Sequence, residues 1–130
     1  DDFDAEAVEE LNAQIEGVLP EGGRTLLVED LATAGGSILN FVNAIRTAGG
    51  TIGHALVVFH YGIFPQAVED LKAQGVELIG LTTWRDVLQA AGDLGTLDAA
   101  DAKEVRAFLE NPEAWSLAHG GKEVGSKEPA

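Results

Sequence analysis

Leu26-Leu27-Val28-Glu29-Asp30-Leu31-Ala32-Thr33-Ala34-Gly35-Gly36-Ser37 decides how the fold of this chain is read. Thr25–Val28 has the apolar character of a strand, and it ends in two adjacent carboxylates. A short Thr/Gly/Ser loop follows, and then Ile38, Phe41, Val42 and Ile45 recur at helical spacing. Each part has a chemical use if the ligand is a phosphorylated sugar. Gly35 and Gly36 let the backbone approach a phosphate closely, because they lack a Cβ. The N–H groups that open the next helix have no partners within it and lie at its positive dipole end, which suits an anion. Thr33 and Ser37 add hydroxyl donors. Glu29 and Asp30 are acceptors, suited to ribose hydroxyls or a hydrated magnesium ion rather than to the phosphate itself. The bland alternative is an ordinary strand-to-helix turn, with the two acids merely capping the helix; two adjacent acids at a strand end cost more than a cap requires.

Outward from this stretch the pattern alternates. Gly49-Gly50 ends the first helix, and Ala55–Phe59 is a near-continuous apolar run, as expected of a strand covered on both faces. Ala67, Val68 and Leu71 mark a second helix, closed by Gly75, and Val76–Leu81 a third strand. Thr83, with Asp86 three positions on, reads as the N-cap of a helix burying Trp84, Val87, Leu88 and Ala91. Asp98 caps another, with Ala102, Val105, Phe108 and Leu109 on one face and Asn111-Pro112 as its stop. Strands alternating with helices give an α/β fold with an open parallel sheet and flanking helices. Ligands of such sheets bind at the carboxyl ends of the strands, where the Glu29–Ser37 loop falls. The expected organisation is an acidic lead-in over 1–11, a frayed helix or a disordered stretch, one α/β domain over 12–121, and a flexible tail over 122–130.

Composition narrows the function classes. The net charge is −14, with no Lys/Arg cluster, which argues against nucleic acid. The apolar runs are too short to span a membrane, and the acidic start is unlike a secretory signal. Cysteine is absent, so thiolate catalysis, disulfides and cysteine–zinc sites are excluded. His54, His60 and His119 show no metal-ligand spacing, and no residue is assigned as a metal ligand. His60, at a strand's carboxyl end, is either a substrate contact or a half-buried histidine bonded to backbone. His54 reads as structural or solvated and His119 as solvated. Trp84 and Trp115 read as core or interface anchors.

The strand, acidic pair and Thr-x-Gly-Gly-Ser-like turn resemble the phosphoribosyl-pyrophosphate (PRPP) loop of type I phosphoribosyltransferases. It is neither a P-loop nor a dinucleotide fingerprint. Longer stretches are similar to orotate phosphoribosyltransferases, and to their alphaproteobacterial branch in particular. These are Asn12-Ala13-Gln14-Ile15-Glu16-Gly17, Asn40-Phe41-Val42-Asn43-Ala44, His54-Ala55-Leu56-Val57-Val58-Phe59-His60-Tyr61-Gly62-Ile63-Phe64-Pro65 and Thr82-Thr83-Trp84-Arg85-Asp86-Val87-Leu88. The resemblance runs from about Asn12 to Gly121 and covers the carboxyl-terminal, PRPP-binding part of that family.

What the resemblance implies is transfer of a phosphoribosyl group from PRPP to N1 of orotate, giving orotidine 5′-monophosphate and pyrophosphate in pyrimidine biosynthesis. Mg²⁺ would be the cofactor, the enzyme a homodimer, and its place the cytoplasm. Glu29 and Asp30 would hold the ribose hydroxyls. The loop from Leu31 and Ala32 through Thr33, Ala34, Gly35, Gly36 and Ser37 would receive the 5-phosphate. Thr33 would also touch orotate, with His60 and Tyr61 as further candidates where many members carry an Asp-Arg pair. The implied fold is the type I phosphoribosyltransferase sheet without its amino-terminal part. The family's basic mobile loop has no counterpart in Asp1–Leu11, which holds six acids and no base. A non-catalytic PRPP- or nucleotide-binding module, or an inactive piece, is therefore the alternative to the enzyme.

Overall fold

The structure, a computed structural model, describes residues 15–122. Among them lie three strands, β1 (Arg24–Ala32), β2 (Thr51–His60) and β3 (Glu77–Thr83). Five helices accompany them: α1 (Gly36–Thr47), α2 (Pro65–Ala73), α3 (Trp84–Leu94), α4 (Ala99–Glu110) and α5 (Pro112–Ala118). The strands are parallel in the order β1-β2-β3, as the alternating pattern predicts. The lead-in over 1–11 lies outside the described residues, as does the tail over 122–130 apart from Lys122.

The core lies between the sheet and its two crossover helices. Ile38 and Val42 from α1, Leu71 from α2 and Ala55 and Val57 from β2 are all fully buried. Ile52 joins them although it is an odd number of positions from Ala55, which strict alternation would send to the opposite face. The register explains this. Thr25 pairs with Ile52 but Leu26 pairs with His54, so Gly53 is an extra residue that resets the alternation. Arg46, at the end of α1, fastens the two crossovers together. Its Nη2 donates to the carbonyl of Ile52 at 3.3 Å and to that of Gln74, just past α2, at 2.6 Å.

The other face of the sheet departs from expectation. Ala55 and Val57 are buried, but Val58, the next residue along the strand, is 54% exposed. Leu26, Val28, Ile79 and Leu81 are exposed as well, so the apolar run of β2 is covered on one face only among the described residues. β1 also runs four residues beyond the predicted Val28, so Glu29 and Asp30 belong to the strand.

The carboxyl-terminal helices follow their caps. Thr83 and Asp86 form the predicted capping box: Thr83 Oγ1 accepts from the Asp86 N–H at 3.3 Å, and Asp86 Oδ2 accepts from the Thr83 N–H at 2.8 Å. Yet α3 buries none of its residues fully, and Val87 is exposed. Asp98 caps α4 by accepting from the Asp101 N–H at 2.8 Å. Asn111 ends α4 and at once starts α5, accepting from the Ala114 N–H at 3.0 Å with Pro112 as the first helical residue. No helix among the described residues is long and apolar enough to cross a membrane.

Candidate functional site

Because the strands are parallel, their carboxyl ends share one edge of the sheet. Ala32, His60 and Thr83 stand there, and Ala32–His60 and His60–Thr83 are register partners. The quoted loop leaves this edge directly. Thr33 and Ala34 form a bend, and Gly35 takes φ of 79°, a left-handed conformation that suits a residue without a Cβ. The helix begins at the next residue.

The start of α1 has no side-chain cap. The first bond into the helix is Leu39 N–H to Gly35 O at 3.1 Å. The N–H groups of Gly36, Ser37 and Ile38 therefore donate to no acceptor among the described residues, and Gly36 and Ser37 are exposed. Unpaired amides, the positive end of the helix dipole and the Thr33 and Ser37 hydroxyls, which have no partner among the described residues, meet at one exposed point, an arrangement chemically able to receive an anion. Thr33, Ala34, Gly36 and Ser37 are exposed around the buried Gly35, so the predicted loop is assembled as one unit.

Glu29 and Asp30 precede this seat but do not cap the helix. The alternation of an extended strand sends their side chains to opposite faces. Glu29 is half-buried on the covered side, and Asp30 is exposed on the side of Val28. Neither carboxylate has a hydrogen-bond or ion-pair partner among the described residues, which leaves both free to accept from ligand hydroxyls. They flank the loop as two separate acceptors, not as a paired carboxylate site.

On the β2 side, the Tyr61 N–H donates to the Ala32 carbonyl at 2.9 Å, which fastens the second loop to the first. Tyr61 belongs to a three-ring cluster. Its ring meets Phe59 and Trp84 edge to face, each at 5.8 Å between centroids, and Phe59 meets Trp84 at 5.2 Å. Trp84 follows directly on β3, so the cluster closes one side of the carboxyl edge. Among the described residues the buried Trp84 indole N–H has no acceptor and the buried His60 Nε2 no partner, so the His60 ring is not bonded to backbone through that nitrogen. Burial holds the His60 imidazole below its ordinary pKa, which favours the neutral ring. Nothing in the sequence points to the Phe59–Tyr61–Trp84 cluster, beyond aromatic residues standing at two strand ends.

The remaining histidines lie away from this edge. His54 pairs with Glu77 at 3.6 Å across β2 and β3, and His119 with Glu104 at 3.1 Å between α5 and α4. A hollow of about 720 Å³, lined by Arg24, Leu26, Gly53, His54 and Ile79 among others, is at the amino ends of the strands. It belongs to the uncovered face of the sheet and takes in no residue of the Glu29–Ser37 loop or of the Phe59–Tyr61–Trp84 cluster.

The arrangement has close counterparts among known proteins. The chain is 52% identical over 110 residues to an orotate phosphoribosyltransferase of Sinorhizobium medicae, which takes in 85% of this chain and 47% of that protein. The orotate phosphoribosyltransferases of Cereibacter sphaeroides and Dinoroseobacter shibae are 55% and 54% identical over 104 and 108 residues, at 80% and 83% of this chain. The chain thus spans about half the length of the curated relatives it matches. No family model matches it. Among solved structures, the orotate phosphoribosyltransferase of Aeropyrum pernix superposes with a TM-score of 0.54 at 38% identity, over 59% of this chain and 44% of that one. The UMP synthase of Leishmania donovani shares the fold, with a TM-score of 0.67 at 22% identity, over 75% of this chain and 22% of that one. The resemblance read from the sequence is borne out, and so is the parallel α/β fold of type I phosphoribosyltransferases.

Proposed function

We propose that this chain, homologous over most of its length to about half of an orotate phosphoribosyltransferase, forms the PRPP-binding part of such an enzyme. The observation that carries the reading is the uncapped start of α1 behind a strand ending in Glu29-Asp30, within a sequence more than half identical to enzymes of that name. The reaction joins N1 of orotate to C1 of the ribose as the bond from C1 to pyrophosphate breaks. The products are orotidine 5′-monophosphate and pyrophosphate.

In this reading the amides of Gly36, Ser37 and Ile38, with the Thr33 and Ser37 hydroxyls, receive the 5-phosphate. Glu29 and Asp30 accept hydrogen bonds from the ribose hydroxyls. Catalysis then rests on positioning and on stabilising charge as pyrophosphate departs. Thr33 and Tyr61 border the acceptor side. Tyr61 suits it better than His60, because its backbone is bonded to Ala32, from which the loop departs, while His60 Nε2 is shut away and its ring is held neutral.

Mg²⁺ is part of the proposal. No group of three metal-binding side chains occurs among the described residues. Magnesium is commonly held by one or two carboxylates together with substrate phosphates, so one of Glu29 and Asp30 would suffice for an ion that arrives with PRPP. When bound, it would neutralise charge on the leaving pyrophosphate. A homodimer in the cytoplasm completes the reading.

A second reading, PRPP binding without turnover, draws on one observation: no Lys or Arg occurs between Arg24 and Arg46, the stretch that holds the loop. Calorimetric titration with PRPP and Mg²⁺, followed by the ultraviolet absorbance of orotate on mixing, separates the two. Binding with loss of orotate is the expected result for the enzyme. Binding without it supports the second reading, and no binding by folded protein contradicts both.

A further inference from the structure

The loop at the start of α1 does not hold its shape alone. Gly35 is buried and left-handed, and a Cβ at its position would stand 3.1 Å from the Cβ of Ala67. Ala67 is 3% exposed and lies in the first turn of α2, whose start is also without a side-chain cap. The backbone of Gly35 therefore rests on the smallest side chain that still makes contact. Its immediate neighbour behaves differently: a Cβ at Gly36 would meet nothing within 4 Å. The pressure is local to Gly35, the residue whose carbonyl accepts the first bond of α1 and whose dihedral angles aim the amides of Gly36 and Ser37. A second tie acts in parallel, since the Tyr61 N–H holds Ala32 just upstream of the loop. The segment from Tyr61 to Ala67 thus grips the loop at both ends.

We propose that Ala67 is a positioning residue for the anion-binding loop, setting through its contact with Gly35 the direction of the amides that receive the 5-phosphate. This rests on the reading of the loop as a phosphoribosyl site. The side chain touches no ligand; it acts through Gly35. A larger residue must either push Gly35 outward or tilt the first turn of α2, and both turn the free amides of α1 away from a common point. Interiors are packed closely enough that two added methyl groups cannot be absorbed without a shift.

The test uses the whole chain and PRPP with Mg²⁺ as the probe, with affinity from calorimetry and amide shifts from NMR. Ala67→Val is expected to weaken PRPP binding by about tenfold or more, the loss of one charge-assisted contact, and to displace the resonances of Gly35, Gly36 and Ser37 before ligand is added. Ala67→Ser, adding one atom, is expected to give a smaller weakening in the same direction and covers the case in which the valine variant does not fold. Ala102→Val, at a similarly buried alanine of α4, is the control for mere destabilisation: it is expected to lower the melting temperature and leave PRPP affinity unchanged. If folded wild-type protein does not bind PRPP, the phosphoribosyl reading fails. If wild type binds and the Ala67 variants bind equally well, or if Ala102→Val weakens binding as much as they do, the positioning role of Ala67 is overturned and the reading of the loop stands.

Discussion

The Tyr61 amide donates to the Ala32 carbonyl at 2.9 Å, so the loop after β2 is bonded to the residue from which the Thr33–Ser37 loop departs. The Tyr61 ring meanwhile packs against Phe59 and Trp84. One residue thus joins the Thr33–Ser37 loop to the aromatic cluster. Tyr61→Phe keeps both the backbone bond and the ring contacts, and is expected to change stability by less than about 0.5 kcal/mol. Tyr61→Ala loses two edge-to-face pairs as well as buried area and is expected to cost about 1–3 kcal/mol. Chemical denaturation reads both. Under the proposed function, Tyr61→Phe weakens orotate binding while leaving PRPP affinity as it was.

The two glycines of the loop are expected to behave oppositely. Gly35→Ala places a Cβ on a left-handed residue and against Ala67 at 3.1 Å, which should cost about 1–2 kcal/mol or more. Gly36→Ala enters open space at the first helical position and should be neutral or stabilising, by up to about 1 kcal/mol. Urea titrations of the two variants check the contrast, and equal effects would contradict the described backbone.

The two faces of the sheet predict a similar asymmetry. Leu71, fully buried between α2 and the sheet, should cost about 2–5 kcal/mol when replaced by alanine. Leu81, 63% exposed on the uncovered face, should cost less than about 0.5 kcal/mol in this chain. A loss at Leu81 comparable to that at Leu71 in equilibrium unfolding would mean that its face is covered.

His60 gives the fold a pH dependence of known sign. Burial lowers its folded pKa, so near neutral pH both folded and unfolded states hold it uncharged and nothing is lost. As the pH falls below the ordinary histidine value of about 6.5, the unfolded chain takes up the proton first, and stability declines toward the lower folded value. His60→Gln is expected to remove this component. Melting temperatures of the two proteins measured from pH 7.5 to 5 should therefore converge on the acid side or cross; a constant gap would contradict the assignment.

What the sequence disclosed, and what it did not, follows from the range of the interactions involved. The order of strands and helices was legible because hydrophobic periodicity and glycine stops are local signals, and the Thr83–Asp86 and Asp98 caps were found where their side chains stand. The loop from Thr33 to Ser37 was legible because a strand end, two glycines and a helix start lie within a few residues. The coverage of the sheet was not. Ala55–Phe59 reads the same whether one or two layers pack on it, and only the exposure of Val58 next to the buried Val57 separates the cases. α5 escaped notice because Asn111-Pro112 is both a stop for one helix and a start for the next. The contact of Ala67 with Gly35 spans 32 positions and depends on the angle at which α2 meets the sheet, which no local pattern records.

An amide-resolved NMR titration of the chain with PRPP and Mg²⁺ decides whether the loop is a phosphoribosyl site. Saturable shifts are expected, centred on Thr33 to Ser37, with Glu29 and Asp30 following and the amides of α4 and α5 unmoved. A folded sample whose loop amides stay in place as PRPP is added, or whose shifts gather elsewhere, would contradict that reading.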